Sequence, residues 1–151
     1  YESGEADLPD IGLTPKQSKA VVNIQQSTFE DAIAEGKSVV EAQSIAEKAA
    51  EKASKRLLKN RAETIARTES IRAQHAGQQE VWNQYINQGL LPATAMKVWI
   101  VTPDDRLDTR ICAPMQGKEV PVKGDFDTPA GSVPYPPAHP RCRCSVGVSR
   151  V

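Results

Sequence analysis

The stretch Gly89-Leu-Leu-Pro-Ala-Thr-Ala-Met96-Lys-Val-Trp99-Ile-Val101-Thr-Pro103 separates two kinds of sequence. Upstream, no proline occurs between Pro15 and Pro92, and the stretch is rich in Ala, Glu, Lys and Gln, the composition of long helices. Gly89 stands where such a helix would be capped. Within the stretch the pattern switches: Val98, Trp99, Ile100 and Val101 are β-branched or aromatic and end at Thr102-Pro103, a strand signal. Downstream, prolines recur from Pro103 to Pro140. The fold class this predicts is α+β, with long N-terminal helices followed by a small antiparallel sheet that carries a long Pro/Gly-rich loop.

Working back from Gly89, Thr14, Pro15 and Gln17 form a capping box and open a helix expected to end at Gly36. Val21, Ile24 and Thr28 lie on one side of it, and Phe29 and Ile33 on an adjacent stripe. Ser38-Val-Val-Glu41 is a second capping box, before a helix whose Ala42, Ile45, Ala46, Ala49, Ala53 and Leu57 make one apolar seam. Alanine offers little area, so at ~25 cal/mol per Å2 this seam is marginal alone and calls for a partner surface. The helix continues through Asn60 to Gln88, with Asn60 and Gly77 as the places for a bend. Ile65, Ile71 and Trp82 are expected to join Trp99 and Val101 in one core. Working forward, Lys118–Val122 and Cys144–Val148 read as further strands, and Lys123–Pro140 as a long loop. Two regions result, a helical docking arm over residues 1–60 and an α+β module over 61–151.

The loop needs a staple, and His139-Pro-Arg-Cys142-Arg-Cys144 with Cys112 supplies one. Three thiolates and an imidazole match the closed tetrahedral set of structural Zn2+. A disulfide framework fits less well, because the cysteine count is odd and Cys-x-Cys places its sulfurs badly for a bridge. In an extended segment Cys142 and Cys144 point to one face. The alternative is that Cys112 and one of the pair are small buried hydrophobes while His139 caps a turn. His75 reads as a surface or packed helix residue. Arg67 and Glu69 on the helix, with Asp105, Arg110 and their neighbours after the Trp99 strand, are positioned for an ion pair that fixes orientation; for Glu69 a solvated face competes.

Nineteen Lys+Arg balance nineteen Asp+Glu, which excludes a wholly basic nucleic-acid-wrapping protein. Local patches remain: Arg141, Arg143 and Arg150 for DNA or phosphate contact, and a basic end at Lys48, Lys52, Lys55, Arg56 and Lys59. No apolar run approaches the roughly 18 residues of a membrane span, and the start, Tyr1-Glu-Ser-Gly-Glu-Ala-Asp7, has no signal-peptide pattern.

The order Ile65-Ala-Arg67-Thr-Glu69, Trp99, Asp105-Arg-Leu-Asp108-Thr-Arg110, Cys112, Gln116-Gly117-Lys118 and Pro136-Pro-Ala-His139-Pro-Arg-Cys142-Arg-Cys144 resembles the phage Mu F-like head morphogenesis family. The resemblance spans about Ala62 to Val148 and leaves out the helices through Lys59. It implies a minor capsid protein of a tailed phage, associated with the portal and acting in head assembly, DNA packaging or ejection. The location implied is the capsid interior or portal vertex, with host cytoplasm during assembly. The partners implied are the portal and other capsid proteins, with self-association through helices and non-specific contact with packaged DNA. It implies no catalysis, and a His or Cys at the position of Cys112 in relatives strengthens the zinc reading. Gln116 departs from the family, which more often has an acid before this glycine. The rival reading is a toxin-like or nuclease enzyme using Arg67, Glu69, Asp105 and His139. Against it, the sequence has no phosphate-cradling Gly loop, H-E-x-x-H or nucleophile elbow.

Overall fold

Both capping boxes start helices where the sequence predicts them. The computed structural model describes residues 12–150, without the Arg150 side chain; the segment read for a signal peptide lies outside them. Helix α1 (Pro15–Ala34) begins on Thr14, whose hydroxyl accepts from Gln17 N at 3.3 Å while Gln17 Oε1 accepts from Thr14 N at 2.9 Å. Gly36, at φ 82°, turns the chain out of it with Lys37 N bonded to Ala32 O. Ser38 and Glu41 repeat the reciprocal pattern and open α2 (Val39–Asn87), a single helix of 49 residues. It passes through Asn60 and Gly77 without interruption, so neither expected bend ends the element; one glycine costs a helix only about 1 kcal/mol. Gly89, at φ 72°, closes it.

The chain divides into two compact units between Glu63 and Thr64. In the N-terminal unit the seam is half as predicted. Ala42, Ala46 and Ala53 of α2 and Ala32 of α1 are buried, but Ile45 is 40 % exposed. Phe29 of α1 and Ala46 of α2 line one groove, so the helices run side by side there.

The C-terminal unit holds the sheet. Strands β1 (Met96–Ile100), β2 (Glu119–Pro121) and β5 (Ser145–Arg150) pair antiparallel in the order β2-β1-β5, with Val98 opposite Glu119 and Trp99 opposite Val146. The expected long loop contains a hairpin that the sequence reading missed, β3 (Phe126–Thr128) with β4 (Gly131–Val133). Three-residue strands bounded by Pro and Gly are too short to show alternation, which is why no signal was visible.

Trp82, Trp99 and Val101 join the core as predicted, with Met115, Val122, Phe126 and Val146. Trp99 is fully buried and meets the Phe126 ring edge-on at 5.2 Å. Ile65 and Ile71 do not join: Ile65 is 38 % exposed and Ile71 half-buried, because α2 turns Thr68, His75 and Trp82 inward instead, at spacings of seven. His75 is buried, and its Nδ1 donates to the Pro136 carbonyl at 2.8 Å.

Candidate metal centre

Each ligand-type side chain is delivered by local backbone chemistry. Asp108 Oδ1 accepts from Arg110 N and Ile111 N, and its carbonyl accepts from Cys112 N and Ala113 N. This side-chain turn sets Cys112 just before a short 3-10 helix, Ala113–Met115. The Ile111 N–H, chiefly, holds the Asp108 carboxyl below its ordinary range. His139 and Cys142 are the ends of a turn closed by Cys142 N to His139 O at 3.2 Å. Pro140 takes its second position and Arg141, at φ 63°, its third, the left-handed place of a type II turn. Two threonines one turn apart on α2 hold that residue: Thr68 Oγ1 accepts from Arg141 N at 3.2 Å and Thr64 Oγ1 from its Nε at 2.7 Å.

The result brings Cys112, His139 and Cys142 together, with their ligand atoms all within 4.8 Å of one another. The Cys112 and Cys142 sulfurs are 3.7 Å apart, and Cys112 Sγ is 2.8 Å from His139 Nε2. Two sulfurs held at ~2.3 Å by a tetrahedral zinc lie about 3.8 Å apart, so the thiol pair is already spaced for an ion. A sulfur and an imidazole nitrogen would sit about 3.6 Å apart, so His139 must retreat by less than 1 Å. Its Nδ1 is 2.9 Å from the Pro140 carbonyl, which can only accept; the proton is therefore on Nδ1 and the lone pair on Nε2 faces the thiols. This trio can hold a metal ion.

Cys144 lies beside the trio rather than within it. It lines a cavity of about 10 Å3 together with Cys112 and His139. Its thiol donates to the Cys142 sulfur, and this bond, with the backbone N–H groups of Cys144 and Ala138, pulls Cys142 down to about 5 against the cost of burial. Giving up that proton is correspondingly hard for Cys144, which is raised first by that donation and then by burial. Burial pushes Cys112 up to about 11. Ionising the whole set needs a nearby cation, which a divalent metal provides. The buried Trp99 indole N–H lacks a partner at hydrogen-bond geometry, and its dipole acts on the Cys144 sulfur in the direction that favours a thiolate.

The other predicted polar residues are dispersed. Glu69 pairs with Arg72 at 2.9 Å on the exposed face of α2, and Asp105 is 3.9 Å from Arg106 in solvent. Arg110 is exposed, and Arg67 faces a cleft with Arg106, Leu107 and Asp108. The four do not meet, because side chains three apart on one helix satisfy Glu69 locally. The ion pair that does form here is Arg143 with Asp104. Gln116 Oε1 accepts from Val101 N at 2.8 Å.

Sequence reading missed Asp108 as the anchor of Cys112, and Thr64 and Thr68 as the anchors of Arg141. The available signal was two threonines four apart on one face of the helix, the only threonines in α2. It also missed Lys97, buried in β1.

Among the described residues no helix is long and apolar enough to cross a membrane. No curated protein and no solved structure matches the chain. A family model, described as Phage Mu protein F like protein, matches residues 23–147 and so begins within α1, well upstream of the stretch that carries the resemblance in the sequence. From residue 23 to residue 147, the helices and the Cys112, His139 and Cys142 cluster alike, the chain belongs to the Phage Mu protein F-like family of phage head morphogenesis proteins.

Proposed function

We propose that this is a non-catalytic minor capsid protein that docks through its N-terminal helices on the portal or on neighbouring copies, and acts in head assembly, DNA packaging or ejection. The observation that carries the reading is the apolar surface left open in the helical unit. Val22 is 58 % exposed, Val39 64 % and Val40 80 %, and Ile33 and Ile45 are exposed as well, branched apolar side chains that a partner would cover. Arg141 and Arg143 are the residues for non-specific contact with packaged DNA. His139 argues against an enzyme: one nitrogen is committed to Pro140 O and the other to the thiol cluster, so neither is placed as a general base.

In this reading Cys112, His139, Cys142 and Cys144 hold one structural Zn2+. Cys144 would complete the tetrahedron from its place on the shared cavity. Particles assembled with a chain that starts at Arg61 test the docking. Shells should form and lack the protein; normal incorporation of the shortened chain would move the docking surface out of the helices.

A further inference from the structure

Beside the metal centre lies an open cleft of about 440 Å3 on which Arg67, Arg106, Arg141 and Arg143 converge, with Asp108 and His139 in its wall. We infer that this cleft is a phosphate site, filled by the backbone phosphates of nucleic acid. It rests on the proposed contact with packaged DNA only for the source of the phosphate; the anion chemistry stands on the cleft itself.

Four guanidinium groups, which stay charged at every physiological pH, face one lining carboxylate. That carboxylate is already engaged, because Asp108 Oδ1 accepts two backbone N–H groups. Arg143 is neutralised by Asp104. Arg67 and Arg106 are exposed, and the Arg106 guanidinium lies 3.9 Å from the exposed Asp105 carboxylate. Like charges gathered in one concavity repel unless an anion enters it, and the walls of a cleft focus their field.

Arg141 carries the second line of argument. A non-glycine residue in the left-handed region costs on the order of 1 kcal/mol or more, and is kept where the surroundings over-determine it. Here two threonine hydroxyls of α2 do so, one on its backbone and one on its Nε. Glycine would make the same turn without strain; only an arginine places a guanidinium, oriented through Nε, in the wall of this cleft. Among the described residues no Phe, Tyr or Trp lines the cleft, and its one ring is the His139 imidazole, so base stacking contributes little. Binding should therefore depend on phosphate and salt and be indifferent to sequence.

The test is fluorescence anisotropy of a labelled DNA duplex with the full chain across a series of salt concentrations, with pyrophosphate and polyglutamate as competitors. Arg67→Ala with Arg106→Ala should flatten the dependence of log K on log salt by about 1–2, since each lost phosphate contact removes about 0.9. Arg67→Lys with Arg106→Lys should largely keep it, which separates lost charge from lost folding. A control pair at the basic end of the helix, Lys52→Ala with Lys59→Ala, should leave it unchanged. The inference is overturned if the control pair takes the loss, if the Ala pair binds like the parent, or if polyglutamate displaces DNA as well as pyrophosphate does. Pyrophosphate binding to the same arginines with no binding of DNA would overturn the nucleic-acid source. It would leave the docking reading, which particle incorporation tests separately, untouched.

Discussion

The N-terminal unit buries Ala32, Ala42, Ala46 and Ala53 and turns Val22, Val39 and Val40 outward; the C-terminal unit buries Trp82, Trp99, Met115 and Phe126 around three cysteines. Both are ordered by ordinary rules, yet they use apolar residues in opposite ways. Alanine lets helices approach closely but removes little surface from water, whereas each aromatic buries some 150–250 Å2. The C-terminal unit thus has an aromatic core, although Leu90 stays 67 % exposed; the helical unit fully buries only alanines, with Phe29, Ile24 and Leu57 half-buried and Val22, Val39 and Val40 outward.

The sharpest way to break this contrast is Trp99→Ala. The ring is fully buried against Phe126 in the central strand of the sheet, so its loss should cost about 3–5 kcal/mol in chemical denaturation of the full chain. A cost below about 1 kcal/mol would mean that the C-terminal unit does not depend on its aromatic core.

Metal removal comes next. Zinc at a hundred times its Kd stabilises a folded site by about 2.7 kcal/mol. Chelation, or Cys142→Ser, should therefore lower the thermal stability of the C-terminal unit, and elemental analysis should find one zinc per parent chain and none in the variant. The two readouts must move together. A metal-free parent with freely titrating thiols would leave the cluster as three buried cysteines and an imidazole, the bland alternative that the sequence also allows.

How far the sequence could be read follows from the same contrast. The capping boxes at Thr14 and Ser38, the glycines that end both helices and the strand at Trp99 each depend on residues adjacent in the chain, and they were legible. Cys112, His139 and Cys142 were legible by chemical type, since few other roles suit that set. Other features depend on partners far away in sequence. The β3–β4 hairpin is held by residues too few to show a period. Arg141 is held from positions 64 and 68, and Lys97 by Gln79 and Pro134. For Ile65 the local pattern pointed the wrong way, because the tertiary demand of the sheet chose a different face of the helix.

Lys97 offers a finer test of how dry the C-terminal unit is. It is 1 % exposed, its Nζ donates to Gln79 Oε1 at 2.9 Å and Pro134 O at 2.8 Å, and the Phe126 ring centre is 5.6 Å away. Burial pulls its pKa from 10.5 to about 8, with Asp125 opposing. Between about pH 8 and 10.5 the unfolded chain therefore holds a proton that the folded chain has released, and stability rises with pH across that window. Below about pH 8 both states hold it, and the contribution is flat and at its least favourable. The neutral amine still has two N–H groups for its two acceptors. Denaturation across this range should show a steeper rise for the parent than for Lys97→Met; parallel curves would mean that water reaches the amine.

The smallest expected effect is the most telling for the helical unit. Val40 is 80 % exposed and Val39 64 %, so replacing both with Ser should change the stability of the free chain by no more than about 0.5 kcal/mol per site, the usual range for surface positions. The same pair should weaken incorporation into particles, because surface that contributes nothing to folding contributes to docking only when a partner covers it. The two measurements separate the explanations for these valines. A cost above about 1 kcal/mol in the free chain would show that they are already packed in solution, against another copy if it depends on protein concentration. Unchanged stability with unchanged incorporation would mean that the valines are merely tolerated, and that the alanine-lined helices serve the particle through a different face.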